Sequence, residues 1–316
     1  MVYCKSITFD EPQWDNLIQL SNTASFFQQR QWLRIWVENF PIDHEIVGVF
    51  DNEKLIGIIP ISFNTERVNL LGTTPVLGKE QVCDFGDTVC LPEYEKIVWT
   101  KGIEYLSKKY PGKTLSLDFI KENSPSFLIL NTLYNNALVT ATSPYINLPK
   151  SWEGYLEVLK KKDRHELKRK LRRLETVKYR VYQADSTEEN QTQFISLMKQ
   201  SAPEKEKFMT ELMEKYFTTL LKTIDNERLV LWFMEIDSIP VAGVLAFKFK
   251  NQLLLYNSGM NLEYRQLSVG LLTKILLMKR GIEWGLNIFD FLQGNEPYKY
   301  DLGAVDNNLY QFNIVL

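Results

Sequence analysis

Two stretches of this chain read as the same succession of strands, and that repetition limits the fold more than any other feature. EIVGVFDNEKLIGIIPISFNTERVNLLG (45–72) gives strand, Asp-Asn turn, strand, short turn, strand. LVLWFMEIDSIPVAGVLAFKFKNQLLLYNSG (229–259) gives the same order. Gly57 and Gly243 fall at matching places in the middle strands, and Leu70-Leu71 falls opposite Tyr256-Asn257. A repeat on this scale points to two similar halves built from one supersecondary unit. The expected architecture is α/β (α+β), with mixed sheets flanked by helices. The Leu148-Pro149-Lys150 stretch marks a boundary, which predicts domains at 1–149 and 150–316.

The second half continues as a strand, the loop NLEYRQLSVG, the apolar stretch LLTKILLMKRGIEWG and the apolar run LNIFDFL. The third piece predicts a helix of about 12 residues, capped by Ser268 and stopped near Gly281. LNIFDFL predicts a buried strand. Arg265, Ser268 and Gly270 therefore sit where a strand-to-helix turn presents unpaired backbone N–H groups. Small residues there let a phosphate approach closely. A capping serine and a glycine also occur at ordinary helix starts, so the spacing by itself leaves both readings open.

Between Lys160 and Lys178, ten residues are Lys or Arg and three are acidic. Ser151 reads as the N-cap of a first helix. Asp163 and Glu166 resemble a capping box opening a second, with Leu167, Leu171 and Leu174 as its apolar stripe. This basic helix pair (160–178) opens the second domain. Arg164, Arg169 and Arg173 are the candidates for a ligand. The alternative is a solvated face pairing with local acids. No aromatics interleave the cations, which argues against sequence-specific nucleic-acid binding.

Composition narrows the function classes. Hydrophobic residues make up 45% of 316 residues and charged residues 24%, with a net charge of −2. Those values fit a globular protein without general attraction to nucleic acid or membrane. No long uncharged apolar run suggests a transmembrane helix, and MVYCKSITFDEPQW has no signal-peptide core. A cytoplasmic location is expected. Three cysteines and two histidines, none ligand-spaced, predict no metal site.

Arg-x-x-Ser-x-Gly between a strand and a helix resembles the acyl-CoA pyrophosphate loop of the GNAT superfamily of N-acetyltransferases, which usually reads Gln/Arg-x-x-Gly-x-Gly/Ala. DFLQGNEPYKYDLGA resembles the C-terminal signature of the cellulose-biosynthesis CelD-type acetyltransferase family. LKKKDRHELKRKLRRLE looks like that family's basic helix pair, and CDFGDTVCLPEYEKIV like its Asp-rich middle segment. The family resembles the Fem peptidyltransferases, which carry two tandem GNAT-like domains, in agreement with the repeat.

The resemblance implies N-acyl transfer from acetyl-CoA or another acyl-CoA to a small amine. The donor lies between strands LLLYNSGM and LNIFDFL, with its pyrophosphate on Arg265, Gln266, Leu267, Ser268, Val269 and Gly270. Asp290 is then placed to accept a proton, Tyr298 or Tyr300 to return one to the thiolate, and Lys299 to hold a phosphate or an acceptor carboxylate. The competing readings are a buried structural Asp290, and a half-buried strand with one core tyrosine and a solvated Lys299. Asp84, in the first half, is an acceptor-binding candidate, and Asp87 reads rather as part of a turn. The first half lacks a pyrophosphate loop and is expected to be a degenerate GNAT-like domain. A Fem-type aminoacyl-tRNA-dependent transferase, with tRNA as partner, and a non-catalytic binding protein are the alternatives. The terminal strand FNIVL pairs within the monomer or with a neighbour, and the oligomeric state stays open.

Overall fold

The structure is a computed structural model that describes residues 1–316. The chain forms two compact units, Met1–Thr142 with Asn307–Leu316, and Ser143–Asp306. The first unit runs β1 (Val2–Ile7), α1 (Trp14–Leu20), α2 (Arg30–Asn39), β2 (His44–Asp51), β3 (Lys54–Phe63), β4 (Arg67–Leu70) and β5 (Val89–Cys90). It continues with α3 (Glu95–Lys109), β6 (Thr114–Lys121), α4 (Pro125–Tyr134) and β7 (Leu138–Thr142). The second opens with β8 (Tyr145–Asn147), α5 (Trp152–Val158), α6 (Lys161–Leu174), β9 (Tyr179–Ala184), α7 (Glu188–Ser201), α8 (Pro203–Phe208) and α9 (Glu211–Thr223). Then come β10 (Leu229–Ile236), β11 (Ile239–Phe249), β12 (Gln252–Met260), α10 (Val269–Glu283), β13 (Ile288–Asp290) and α11 (Pro297–Asp301). The chain ends with β14 (Asn308–Val315), which belongs to the first unit.

The repeat read in the sequence is a repeat of topology. The first sheet is ordered β1-β2-β3-β4-β6-β14-β7, with β5 on β3, and the second β8-β13-β12-β11-β10-β9. Taken from the other edge, the second order matches the first through five strands and then β8 stands where β14 stands. Each sheet has one parallel pair at its centre, β4 with β6 and β12 with β13. The strand beside that pair, β14 or β8, runs antiparallel to its neighbour.

This arrangement differs from the boundary expected at 149/150. The division falls at 142/143, and the last ten residues return to the first unit. The reason is hydrogen bonding. β14 sits between β6 and β7, and both of its edges are paired. FNIVL therefore pairs within the monomer.

In the second unit the inner strands read as almost unbroken apolar runs because helices cover both faces. On β10, Val230, Trp232, Met234 and Ile236 join the core under α10, with Leu272, Ile275 and Met278. Phe233 points the other way, where a Cβ on Gly243 of β11 would meet both it and Phe194 of α7. Each such fully buried large side chain contributes roughly 1.5–3 kcal/mol.

The basic segment folds as α5 and α6. The break falls at Leu159-Lys160 and not at Asp163, which lies in the first turn of α6. Helix α10 runs past Gly281 to Glu283. Gly281 faces Leu253 of β12 and serves packing, while Gly285, at φ +74°, follows the helix end.

Candidate functional site

Strands β12 and β13 pair over three residues only, Gln252 with Ile288, Leu253 with Phe289 and Leu254 with Asp290. Beyond that point β12 continues to Met260 and β13 stops, so the two strands part. Local chemistry ends β13. Asp290, 3% exposed, accepts from the Leu292 N–H and from the Ser143 hydroxyl, each at 2.8 Å. Leu292 adopts φ +57°, a left-handed conformation that a leucine takes only when its surroundings impose it. These contacts make Asp290 the acid that supports the turn after the strand. On the opposite edge, the β11–β12 ladder slips one residue at Tyr256. Such bulges re-aim backbone and side chains, often beside functional sites.

The loop expected to hold a pyrophosphate follows directly. Leu262–Leu267 forms a 3₁₀ turn whose start is capped by Asn261, which accepts from the Glu263 N–H at 2.9 Å. Arg265 and Gln266 are exposed, Leu267 and Ser268 half-buried, and Val269 buried. Ser268 stands at the N-cap position of α10, yet its side chain makes no capping bond and its backbone is left-handed, φ +57°. Glycine adopts that conformation freely, which accounts physically for the glycine usual at this place in the motif it resembles. A Cβ on Gly270 would lie 2.5 Å from the Met260 sulfur, so its bare backbone lets the first turn of α10 close on β12. Exposed Arg265, small Ser268 and Gly270, and the N–H groups of a helix start form a cradle that fits a pyrophosphate.

Where the strands part, lysines gather that the sequence reading missed. Lys205 of α8 donates to the Asn257 side-chain oxygen at 3.2 Å and to the Ser258 carbonyl, both on β12 past its last pair with β13. Burial pushes its ammonium down to about 8, against the pull of Glu296. Lys274 of α10 lies 5.1 Å from the centre of the Tyr298 ring. Burial foremost, then the charge of Lys205, also bring it down to about 8, with Glu296 opposing and Lys299 adding to the fall. Lys205 gave no signal in the charged run PEKEKF. Lys274 did give one, as a lone cation in the apolar run LLTKILLM.

The Tyr298-Lys299-Tyr300 cluster is helical. Pro297 opens α11, and the spacing is not that of a strand. Lys299 is the most buried of the three, 2% exposed, which reverses the expectation of a solvated lysine between tyrosines. Its ammonium faces the carbonyls of Phe291, Leu292, Gln293 and Gly294 at 2.9–3.4 Å and the Glu296 carboxylate at 2.9 Å. Three N–H donors are fully engaged by such a set. Lys299 therefore ties down the loop after β13, in place of the phosphate or carboxylate contact expected of it.

Tyr298 packs edge-on against Phe291 and lines a cavity of about 150 Å³ together with Leu167 and Lys170 of α6 and Leu271 and Ile275 of α10. Burial, with the Glu296 charge, raises its phenol well above the ordinary range. Tyr300 donates to Asp306 at 2.7 Å, an exposed contact apart from these groups.

Helix α6 packs its leucines beside α10 and the 3₁₀ turn, but its candidate arginines have local partners. Arg164 donates to the Leu156 carbonyl at 3.3 Å, at the end of α5. The Arg169 fork is bound to Glu166 at 2.7 and 2.8 Å, and the hydrogen bond from Arg169 holds that carboxyl down at about 2. Arg173 is exposed. Arg164 and Arg169 thus each have a local partner.

In the first unit, Asp84 is half-buried in the loop between β4 and β5. Asp87 is buried, not a plain turn residue. It accepts from the Ser124 and Ser126 hydroxyls, each at 2.6 Å, and from the Thr88 N–H at 2.7 Å. Burial outweighs those bonds and raises its carboxyl to about 7. No three His, Cys, Asp or Glu side chains gather where they could hold a metal ion. No helix is long and apolar enough to cross a membrane.

Two like sheets, each with one central parallel pair and flanked by helices, define a tandem GNAT-like fold. Residues 161–300 match the family model described as an acetyltransferase (GNAT) domain. No curated protein matches the chain in sequence. Among solved structures, FemX aligns over 99% of this chain and 97% of its own, with TM-score 0.69 and 12% identity. L-PGS from Bacillus licheniformis aligns over 97% and 93%, with TM-score 0.62 and 11% identity. A tandem GNAT protein from the clavulanic acid biosynthesis pathway, solved without AcCoA, aligns over 99% and 98%, with TM-score 0.55 and 10% identity. At these identities the likeness is one of fold.

Proposed function

We propose that the second unit is an N-acyltransferase that moves an acyl group from acyl-CoA to a small-molecule amine. The observation that carries this reading is that β12 runs on past its last pair with β13 and leads into the turn that starts α10. An acyl-CoA supplies a thioester carbonyl to the attacking amine. Arg265 and the backbone of Ser268–Gly270 would hold its pyrophosphate. Tyr298, kept protonated by burial, is the proton donor for the leaving thiolate, and solvent takes the proton that the attacking amine loses. Asp290 and Lys299 act as positioning residues that fix the β13 turn and the loop to α11. Positioning supplies much of the rate in direct transfer of this kind. An amino sugar of a surface polysaccharide, handled in the cytoplasm, is the acceptor suggested by the CelD-type resemblance.

A second reading is aminoacyl transfer from tRNA. It is favoured by the alignment of FemX and L-PGS over nearly the whole chain, given the Fem resemblance of the sequence. Calorimetric titration with CoA, acetyl-CoA and bulk tRNA separates the two. CoA binding that weakens in Arg265→Ala supports acyl-CoA. Absence of CoA binding, with tRNA binding that weakens steeply with salt, moves the assignment to aminoacyl transfer.

A further inference from the structure

The lysines at the splayed strands are not compensated alike. A buried cation costs several kcal/mol unless acceptors or an opposite charge surround it. Lys299 has four carbonyls and Glu296. Lys205 has two neutral oxygens of β12. Lys274 has neither a carbonyl nor a carboxylate bonded to it. Its ammonium rests by the Tyr298 ring, within reach of the fields of Lys205, Glu296 and Lys299. Lys205 and Lys274 are half-buried, each within the field of Glu296, and Lys274 keeps its donors unspent beside the proposed proton donor.

We infer that Lys274 and Lys205 together bind an oxyanion, a carboxylate or phosphate, carried by the acceptor amine. The inference rests on the acyl-transfer reading only in giving the anion to the acceptor. An oxyanion supplies the acceptors that Lys274 lacks and balances the excess charge. It also makes the substrate class specific: an amine bearing an acid group, as in an amino acid or a sugar phosphate. A neutral amine leaves the Lys274 ammonium without an acceptor. The groups that set the charge here are Lys205 from α8, Lys274 from α10, Glu296 and Lys299 from the start of α11, and the Tyr298 phenol. With both lysines lowered to about 8, oxyanion binding takes up protons near that pH.

The test is calorimetric titration of the full chain with sodium acetate and, separately, inorganic phosphate, each at pH 7 and at pH 9.5. At least one probe binds at pH 7. Its affinity falls about tenfold per pH unit above 8 for each lysine that must be charged. Lys274→Met and Lys205→Met each lower it tenfold or more while CoA affinity stays within twofold. The melting temperature of Lys274→Met equals or exceeds that of the parent, because Lys274 bonds no acceptor whose loss would cost stability. Should Lys274→Met not fold, Lys274→Arg keeps the charge and keeps anion binding. Preference for acetate assigns a carboxylate, and preference for phosphate a phosphoryl group.

Failure of both probes to bind, a flat pH profile, or retained binding in both methionine variants overturns the inference. Anion binding lost only in Arg265→Ala puts the anion at the helix start and also overturns it. A parallel loss of CoA affinity in Lys274→Met gives the anion to the donor and removes the acceptor assignment. Lysine-dependent anion binding without any CoA binding leaves this inference standing and sinks the acyl-CoA reading instead.

Discussion

The two units present the same central parallel pair with opposite outcomes. In the second, β12 runs on past its last pair with β13, Lys205 donates to that continuing stretch, and Lys299 ties down the loop after β13. In the first, β4 pairs with β6 from Arg67 with Thr114 to Asn69 with Ser116, then stops at Leu70. The chain comes back through Phe85-Gly86, and the Gly86 N–H bonds to the Phe119 carbonyl at 3.2 Å. A Cβ on Gly86 would stand 2.3 Å from the Asp118 carbonyl, 2.7 Å from Thr73 and 3.0 Å from Leu70. The segment is thus wedged between the ends of β4 and β6, and β5 then takes the place on β3 that the far half of β12 takes on β11. One topology gives a plugged strand end and a strand that runs on. The difference lies in whether the fourth strand is continuous.

The largest effect concerns how the units share strands. Residues 143–306 contain every strand of the second sheet, whereas residues 1–142 lack β14, which lies between β6 and β7. A fragment 143–306 is expected to unfold cooperatively. A fragment 1–142 is expected to lack a cooperative transition until a peptide of residues 307–316 restores the missing strand. Circular dichroism melts decide it. A folded 1–142 fragment would mean that β14 is dispensable and that the two sheets are not matched as described.

Next come paired glycine substitutions. Gly86→Ala sets a methyl group against backbone and is expected to cost about 3 kcal/mol, the upper end for overpacking. CoA binding should be unchanged. Gly270→Ala meets only the flexible end of Met260, so it should cost about 1 kcal/mol or less while weakening CoA binding. Denaturant titration and calorimetry read the two quantities. Equal loss of CoA binding in both variants would break the contrast between a plugged gap and a ligand gap.

The buried acid of the plug gives a smaller, pH-dependent effect. Asp87 is raised from 3.8 to about 7 in the folded state, chiefly by burial. A raised carboxyl favours the fold when protonated. Its contribution is complete below about 3.8 and is lost as pH climbs through about 7. Relative to Asp87→Asn, the parent should lose stability steadily between pH 4 and pH 7 and level off above it. Thermal melts at both pH values check this, and parallel pH profiles would show that the three hydrogen bonds outweigh burial.

The repeat was legible because strand alternation and two-residue turns are local signals. Gly57 and Gly243 do fall in equivalent inner strands. The exchange of β8 and β14 was hidden, since the pairing of short strands far apart in sequence leaves no local trace. Lys299 was misplaced because Tyr-Lys-Tyr alternates like a strand. Pro297 behind Glu296 was the available sign of a helix start. Asp290 could be placed at a strand end but not given a role, because its partner Ser143 lies 147 residues away. Lys205 belongs to a site only through β12, and no spacing in PEKEKF foretells that contact.

The smallest expected effect tests what the basic helix is for. Arg169 and Glu166 form an exposed pair three residues apart on α6. Such exposed pairs contribute little and weaken in salt. Arg169→Ala should therefore cost little and leave CoA binding within twofold, measured by denaturant titration and calorimetry at low and high salt. A salt-sensitive loss of CoA or tRNA binding would show that the Arg169 fork leaves Glu166 for a phosphate. The cations of α6, packed beside the 3₁₀ turn and α10, would then extend the donor site beyond the helix start, and the second unit would differ from the first by an entire basic helix as well as by a continuous strand.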